Sequence, residues 1–463
     1  MDFEHFKGVT LMIRRNVIGT LSVLAVFISA PDIYAQDAHY WTLQYGPRSS
    51  LLGGAVIGSV EDISATYYNP GALGLARDLA FAITANVFER SGVILEDGGG
   101  NGVDLGTAQS GLRPSLVAGV LRRNLFGSGI LAYSLLTRVK GTQDFSGVAI
   151  QSGSDIPPSR QLQDLAGLVQ FEGQFNDLWA GLTYSQPLGS LFGLGVTWYG
   201  ALRSQQRRSE TVSQSIALDG TGLTSLDIRG GKYSTTRTLF KFGAFAAAGP
   251  FSGGLTVTTP SIHISGSGQL GLNISTVGQD TALLAASIQS KLPAEFKSPL
   301  SVGAGGALRI GTTRLHASGE WYDAIAPYVV VQGEEFVAQQ PAQIVPVDAV
   351  QALAEVLNWG GGVEHALSPN LSAYLSYSTN KSGLTDDIER ASLSVLPMDI
   401  GSISAGMDFG IGSARFTLGL GYAWGQKVDE GLTNILREED ADFEATFVYR
   451  SMRVIFGFEI GID

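Results

Sequence analysis

Beyond its first 35 residues the chain carries four histidines, His39, His263, His316 and His365, none in a metal or nucleophile motif. His316, Ser318 and Glu320 come nearest to a hydrolytic set, which needs a serine nucleophile, a histidine base and an orienting partner within hydrogen-bond reach. Residues two apart on a strand share a face but stand ~6.6–6.8 Å apart. The trio therefore reads as a polar strand face opposite Leu315, Ala317 and Trp321, and no catalytic residue is assigned. With no cysteine in the chain, cysteine metal sites are excluded, and no metal or cofactor is expected. Gly360-Gly361-Gly362 and Gly419-Leu420-Gly421 lack a following helix and a phosphate-binding lysine, so they give no support to nucleotide binding. The chain is read as a non-enzyme.

The remaining chemistry is cationic. Arg138, Arg203, Lys241, Arg314, Arg415 and Arg453 fall opposite the apolar rows of alternating segments. At mid-depth on a lipid-facing surface each would cost ~2–4 kcal/mol, so parity assigns them to an interior wall. There they pair with Asp and Glu or meet the carboxylate of a ligand. Arg314, His316 and Arg415 are the ligand-site candidates.

The elements that must hold them are strands. From Leu79 onward, segments of about ten residues alternate in polarity, joined by short turns and long polar connections in alternation. Leu178, Ala180, Leu182 and Tyr184 face one way; Asp177, Gly181, Thr183 and Ser185 face the other. Fourteen segments are counted, at 79–88, 114–123, 129–140, 176–186, 191–204, 234–248, 253–263, 299–310, 313–322, 358–367, 370–379, 399–410, 413–425 and 445–460. An even number suits closure of an antiparallel bacterial barrel. The stretches 141–175, 205–233, 264–298, 323–357, 380–398 and 426–444 are expected to be outer loops. Within one of them, Asp348 precedes Val350, Leu353 and Leu357 at helical spacing, which predicts a short helix over the barrel mouth.

Composition agrees with an all-β transmembrane barrel. Among 463 residues there are 60 glycines, 16% charged and 44% hydrophobic residues, yet no apolar stretch beyond the N-terminus approaches the ~18 residues of a spanning helix. A net charge of −12 argues against nucleic acid. Met12-Ile13-Arg14-Arg15, an apolar run from Val17 to Ala30 and Ile33-Tyr34-Ala35 form the parts of a secretory signal peptide, with cleavage after Ala35 and either Met1 or Met12 as the start. Three divisions follow: a signal peptide at 1–35, a plug-like segment at 36–78 and the barrel at 79–463.

The plug assignment rests on Ser59-Val60-Glu61-Asp62-Ile63-Ser64-Ala65-Thr66-Tyr67-Tyr68-Asn69-Pro70-Gly71-Ala72, preceded by the glycine-rich Ser49 to Ala55. Pro70 disfavours the helical region for Asn69, so Asn69-Pro70-Gly71 is expected to be a turn. This run resembles the hatch of the FadL-like family, outer-membrane barrels that import long-chain fatty acids and other hydrophobic compounds. There an aspartate-alanine segment leads into Tyr-Asn-Pro-Ala-Gly. Here the last two residues are inverted, as Gly71-Ala72, and the hatch residues carried over are Tyr67, Tyr68, Asn69, Pro70 and Gly71. Leu292-Pro293-Ala294-Glu295-Phe296, followed by a strand pair ending Glu320-Trp321-Tyr322-Asp323, resembles the family a second time. Phe296 and Trp321 are read as interfacial girdle aromatics.

The resemblance implies a bacterial outer-membrane barrel of about fourteen strands with a hatch in its lumen, passively transporting long-chain fatty acids or aromatic hydrocarbons. It also implies that Gln36-Asp37-Ala38-His39-Tyr40 reach toward the ligand. The expected partners are a hydrophobic ligand, outer-membrane lipid and, during biogenesis, the barrel-insertion machinery, and a monomer is expected. The alternative is a non-transporting barrel that acts as a structural or secretion-accessory docking protein.

Overall fold

Side chains alternate across a pleated strand, so a strand in a membrane wall shows one face to lipid and the other to the lumen. The computed structural model of the chain describes residues 38–76, 81–99, 102–153, 156, 161–278, 282–339, 344–345, 348–384, 397–430 and 444–461. The signal-peptide assignment and Gln36, Asp37 and residues 77–78 lie outside them. The wall begins with β1 (Phe81–Glu96), β2 (Leu105–Leu125), β3 (Gly129–Ser152), β4 (Leu162–Leu188), β5 (Phe192–Ala217) and β6 (Gly222–Ala248). It continues with β7 (Phe251–Thr258), β8 (Ile262–Val277), β9 (Ala282–Pro293), β10 (Ser301–Ile310) and β11 (Thr313–Tyr322). Inside the next connection lie β12 (Ile325–Val331), β13 (Phe336–Val337), β14 (Ile344–Val345) and β15 (Ala349–Leu353). The wall is completed by β16 (Val356–Ser368), β17 (Leu371–Asn380), β18 (Ile400–Ile411), β19 (Ala414–Glu430) and β20 (Glu444–Ile460).

Neighbours pair antiparallel around a closed circuit: β20 joins β1, and β11 joins β16. β7 and β10 pair near the short turns, while β8 and β9 continue the same two positions toward the other end. With each of these two positions counted once, the circuit has the fourteen strands the alternation predicts. The outward row of β4 and β5, including Leu178, Leu182, Leu194, Trp198 and Leu202, is exposed, whereas Thr183, Thr197, Tyr199 and Arg203 on the opposite face are buried.

Two expectations about secondary structure fail, for physical reasons. Much of 141–175, 205–233 and 264–298 is strand: β3 and β4 stay in register from Val139↔Asp177 to Ser152↔Asp164, and β5 and β6 from Ser204↔Ser234 to Ile216↔Gly222. Above the apolar band the outer face turns polar, as at Glu172 and Gln174 on β4, while Leu165, Val169 and Phe171 are buried on the inner face, so the sense of the alternation reverses while the ladder continues. The helix expected around 348–357 is instead β15, paired antiparallel with β12 through Tyr328↔Gln351 and Val329↔Val350. The β-branched run Val329-Val330-Val331 supplies a partner edge that satisfies this backbone better than a lone turn of helix.

Among the described residues the wall is interrupted between β9 and β10 and between β2 and β3. Between β9 and β10 the chain leaves the ladder: Ala294 bridges Val331 and the Glu295 amide donates to the Val330 carbonyl at 2.8 Å. Phe296 is thereby carried inward into a buried cluster with Tyr233, Leu292 and Val330, which corrects its reading as a girdle aromatic. Trp321 stays outside the core, donating to Glu355 at 3.2 Å. Between β2 and β3, pairing stops after Gly106↔Ser146 and resumes at Leu116↔Leu136. Side chains replace part of the missing ladder there, with the Thr142 amide donating to Gln109 Oε1 (3.2 Å) and the Asp144 amide to Thr107 Oγ1 (3.3 Å).

Candidate functional site

The largest apolar cluster lies inside the barrel, because residues 43–73 bring Leu51, Leu52, Val56, Ile63, Tyr67, Tyr68 and Leu73 against the inward Leu116, Leu136, Trp179, Tyr199 and Leu239. This segment folds as α1 (Pro47–Leu51), α2 (Ala65–Tyr68) and α3 (Pro70–Leu73). Asn69 is its hinge point. Its extended backbone ends α2 and caps α3, its Oδ1 accepts from the Gly71 amide at 3.0 Å, and its Nδ2 donates to the carbonyls of Ile57 and Ala244, each at 3.0 Å. The expected turn is therefore a cap that also grips the wall. Gly71 follows because the wall is so close: a Cβ there would lie 2.6 Å from the Gly193 carbonyl oxygen. The inversion to Gly71-Ala72 puts the missing side chain at the point of contact.

Charged contacts fasten the segment on the opposite side. Arg48 donates to Glu364 through Nε at 3.1 Å and to the Ser59 carbonyl at 2.9 Å. His316 Nε2 is 3.3 Å from Glu364, and its Nδ1 is 2.8 Å from the Ser59 hydroxyl. Arg314 pairs with Glu61. Burial alone would raise the Glu61 carboxyl, but Arg48 and Arg314 outweigh it and hold the group below its ordinary value. Arg415 pairs with Asp408 at 3.0 Å, half exposed beside the β18–β19 turn. So Arg314 and His316 face the N-terminal segment, and all three ligand candidates lie outside the cavity described next.

That cavity, of about 60 Å³, lies in the lumen above the segment. Tyr40, Tyr67, Trp179, Phe296 and Tyr322 give it aromatic walls, and His39 with Tyr40 brings the N-terminal stretch to it. Its lining includes the basic Arg138, Arg203, Lys241 and Lys297 against the acidic Asp177 and Glu320. Arg138 reaches it from a β3 bulge, donating to the Tyr40 carbonyl at 2.9 Å and to Tyr67 at 3.1 Å. Glu320 accepts from Ser301 (2.8 Å), Tyr322 (2.7 Å) and Trp41 (3.2 Å), with Lys241 at 3.7 Å. Asp177 accepts from Trp179 at 3.1 Å and pairs with both Arg203 and Arg237.

Phe296 sits under two guanidinium groups, 3.9 Å from that of Arg203 and 4.8 Å from that of Arg237. Arg237 is fully buried, and among the described residues its Nε and Nη1 have no hydrogen-bond partner. Two free donors on a buried cation are costly unless something else meets them. The sequence reading missed Arg237, although the parity that placed Lys241 inside reaches Arg237 four residues earlier. It also missed Trp179, whose inward parity matches Asp177.

The closed antiparallel barrel of this chain is shared with FadL-like proteins of known structure. No protein-family model matches the chain, and no curated protein matches it. Solved structures do. The chain is similar to the Pseudomonas putida toluene transporter TodX, with a TM-score of 0.56 and 12% identity over 90% of this chain and 98% of that one. It is also similar to the Ralstonia pickettii toluene transporter TbuX, with a TM-score of 0.55 and 11% identity over 90% of this chain and 99% of the other. A Pseudomonas aeruginosa FadL homologue gives a TM-score of 0.55 and 8% identity, covering 92% of this chain and all 100% of its own. The likeness lies in the fold and spans nearly the whole of each chain.

Proposed function

We propose that the protein is a passive outer-membrane channel for hydrophobic small molecules carrying an acidic head, long-chain fatty acids among them. The cavity supports this most directly: aromatic walls would hold the apolar part, and four basic residues against two acidic ones leave an excess for a carboxylate. Arg237 offers two further donors behind Phe296. At about 60 Å³ the cavity is well below the ~150 Å³ of an apolar cavity that accommodates benzene. This is a closed state. A ligand would enter by displacing Phe296 or the His39–Tyr40 stretch, and no energy source is required. Arg138 and Val139 line the cavity and also edge the β2–β3 interruption, which gives a ligand a way sideways out of the lumen.

Saturable binding tests the substrate class. Purified protein should bind oleate at least tenfold more tightly than methyl oleate. Equal affinity for acid and ester would exclude the carboxylate contact.

A further inference from the structure

A second concavity, of about 840 Å³, lies on the outer wall across β2 to β9. Its inward neighbours are identifiable: Val139, Tyr233 and Gln205 are buried, so the residues between them, Lys140, Lys232, Ser204 and Gln206, point outward and are exposed. Register makes two continuous rows. One runs from Lys140 through Asn176, Ser204 and Ser234 to Ser267. The next runs from Gln174 through Gln206 and Lys232 to Gln269. Lys291, exposed on a bulge with a positive φ of 61°, flanks the second row.

Charge sets this surface apart. In a chain with 42 acidic and 30 basic residues, the groove has Arg113, Lys140, Lys232 and Lys291 and not one acidic residue among those that line it. Arg113 is held by Glu89 at 3.2 Å. The three lysine side chains make no ion pair or hydrogen bond among the described residues, and apart from the exposed Leu112 the other outward side chains are amides and hydroxyls that can donate to anionic oxygens.

Height identifies the occupant. Asn176 stands twelve residues from Leu188 at the short turn, and ~3.4 Å per residue at a tilt of ~35–45° places it ~30 Å up, just above an apolar band of about 25 Å. The exposed Leu178 and Leu202 lie immediately below the rows. Lys140 on β3 and Lys232 on β6 are three strand spacings apart, ~14 Å, the scale of a disaccharide with a phosphate at each end.

We propose that this groove binds the phosphorylated sugar headgroup of an outer-leaflet glycolipid. The proposal rests on the outer-membrane placement of the barrel but not on transport, because none of the three lysines lines the lumen cavity. Phosphates bridge the lysines, the amide rows hold the sugar, and the acyl chains run down the Leu178–Leu202 face.

The test is native mass spectrometry of the full barrel with diphosphoryl lipid A, its dephosphorylated form and inorganic phosphate, comparing the natural chain with a K140Q/K232Q/K291Q variant. Heat-modifiable gel migration confirms that the variant barrel is folded. Diphosphoryl lipid should be retained at least tenfold better by the natural chain than by the variant, the dephosphorylated form should lose that advantage, and millimolar inorganic phosphate should not displace the lipid. Equal retention by both proteins, equal retention of both lipids, or full displacement by inorganic phosphate would overturn the proposal. Oleate binding in the lumen cavity, which none of the three lysines lines, should match the natural chain, so failure of the ligand reading is seen separately.

Discussion

Gly71 lies so close to Gly243 that a Cβ on it would stand 2.7 Å from the Gly243 carbonyl oxygen, and a Cβ on Gly243 would stand 2.3 Å from Asn69 Oδ1. The contact is between backbones, one in the N-terminal segment and one in the wall. Gly195 and Gly254 face the same stretch, with Pro70 and Ile57 carbonyls against them. The lumen wall is thus stripped of side chains where the segment docks, which lets Asn69 reach two carbonyls at once.

Gly71→Val should therefore dislodge the segment without harming the barrel. Overpacking of this kind costs ~1–3 kcal/mol, and relief comes most easily by moving the segment rather than the hydrogen-bonded wall. Planar-bilayer recordings should show frequent openings absent from the natural chain. Conductance no different from the natural chain would mean that the close approach does not hold the segment in place.

Arg48→Ala removes one side of the buried Arg48–Glu364 pair and the bond to the Ser59 carbonyl. Breaking such a pair costs ~3–5 kcal/mol where it is fully buried, and somewhat less here because Glu364 keeps some solvent access. The 38–76 segment should become sensitive to protease while the barrel stays resistant. Unchanged protection would show that the backbone contacts alone suffice.

Arg237→Gln should weaken oleate binding by roughly tenfold or more, since a hydrogen bond to a charged group contributes ~1.5–3 kcal/mol. Asp177 keeps Arg203 and Trp179 as partners, so the fold should tolerate the change. Methyl oleate binding should be unaffected. Isothermal titration of both ligands checks this, and an equal loss for acid and ester would assign Arg237 to wall structure alone.

What could be read from the chain alone follows from where a residue's environment is local. The period-two alternation marks lipid on one side and lumen on the other, so the closed barrel, its strand number and the inward Arg138, Arg203 and Lys241 were all legible. The outer halves of β4, β5 and β6 were not, because above the apolar band the outer face turns polar and, on β4, the apolar residues Leu165, Val169 and Phe171 move to the buried inner face, reversing the sense that marks the lower strands. Val350, Leu353 and Leu357 carry helical spacing, yet β12 offers an edge that only the tertiary fold brings near. Phe296 looked like any aromatic at a strand entrance; the departure of Ala294 from the wall toward Val331 is what turns it inward. His316 was correctly set on the lumen face, but its partners Ser59 and Glu364 are 257 and 48 residues away in sequence.

Deleting residues 36–78 should leave a folded barrel, since no wall ladder bond is lost. The emptied lumen should conduct ions steadily in planar bilayers, in contrast to the flickering of Gly71→Val. A deleted protein that conducts no more than the intact one would show that the segment is no plug.

The central claim is that hydrophobic acids cross through this barrel without an energy source. Proteoliposomes holding the purified protein and an interior fatty-acid sensor should take up oleate faster than protein-free vesicles, with a rate that saturates and falls in Arg237→Gln. Uptake indistinguishable from protein-free vesicles, with the barrel shown to be folded and inserted, would contradict the account and leave a docking barrel in its place.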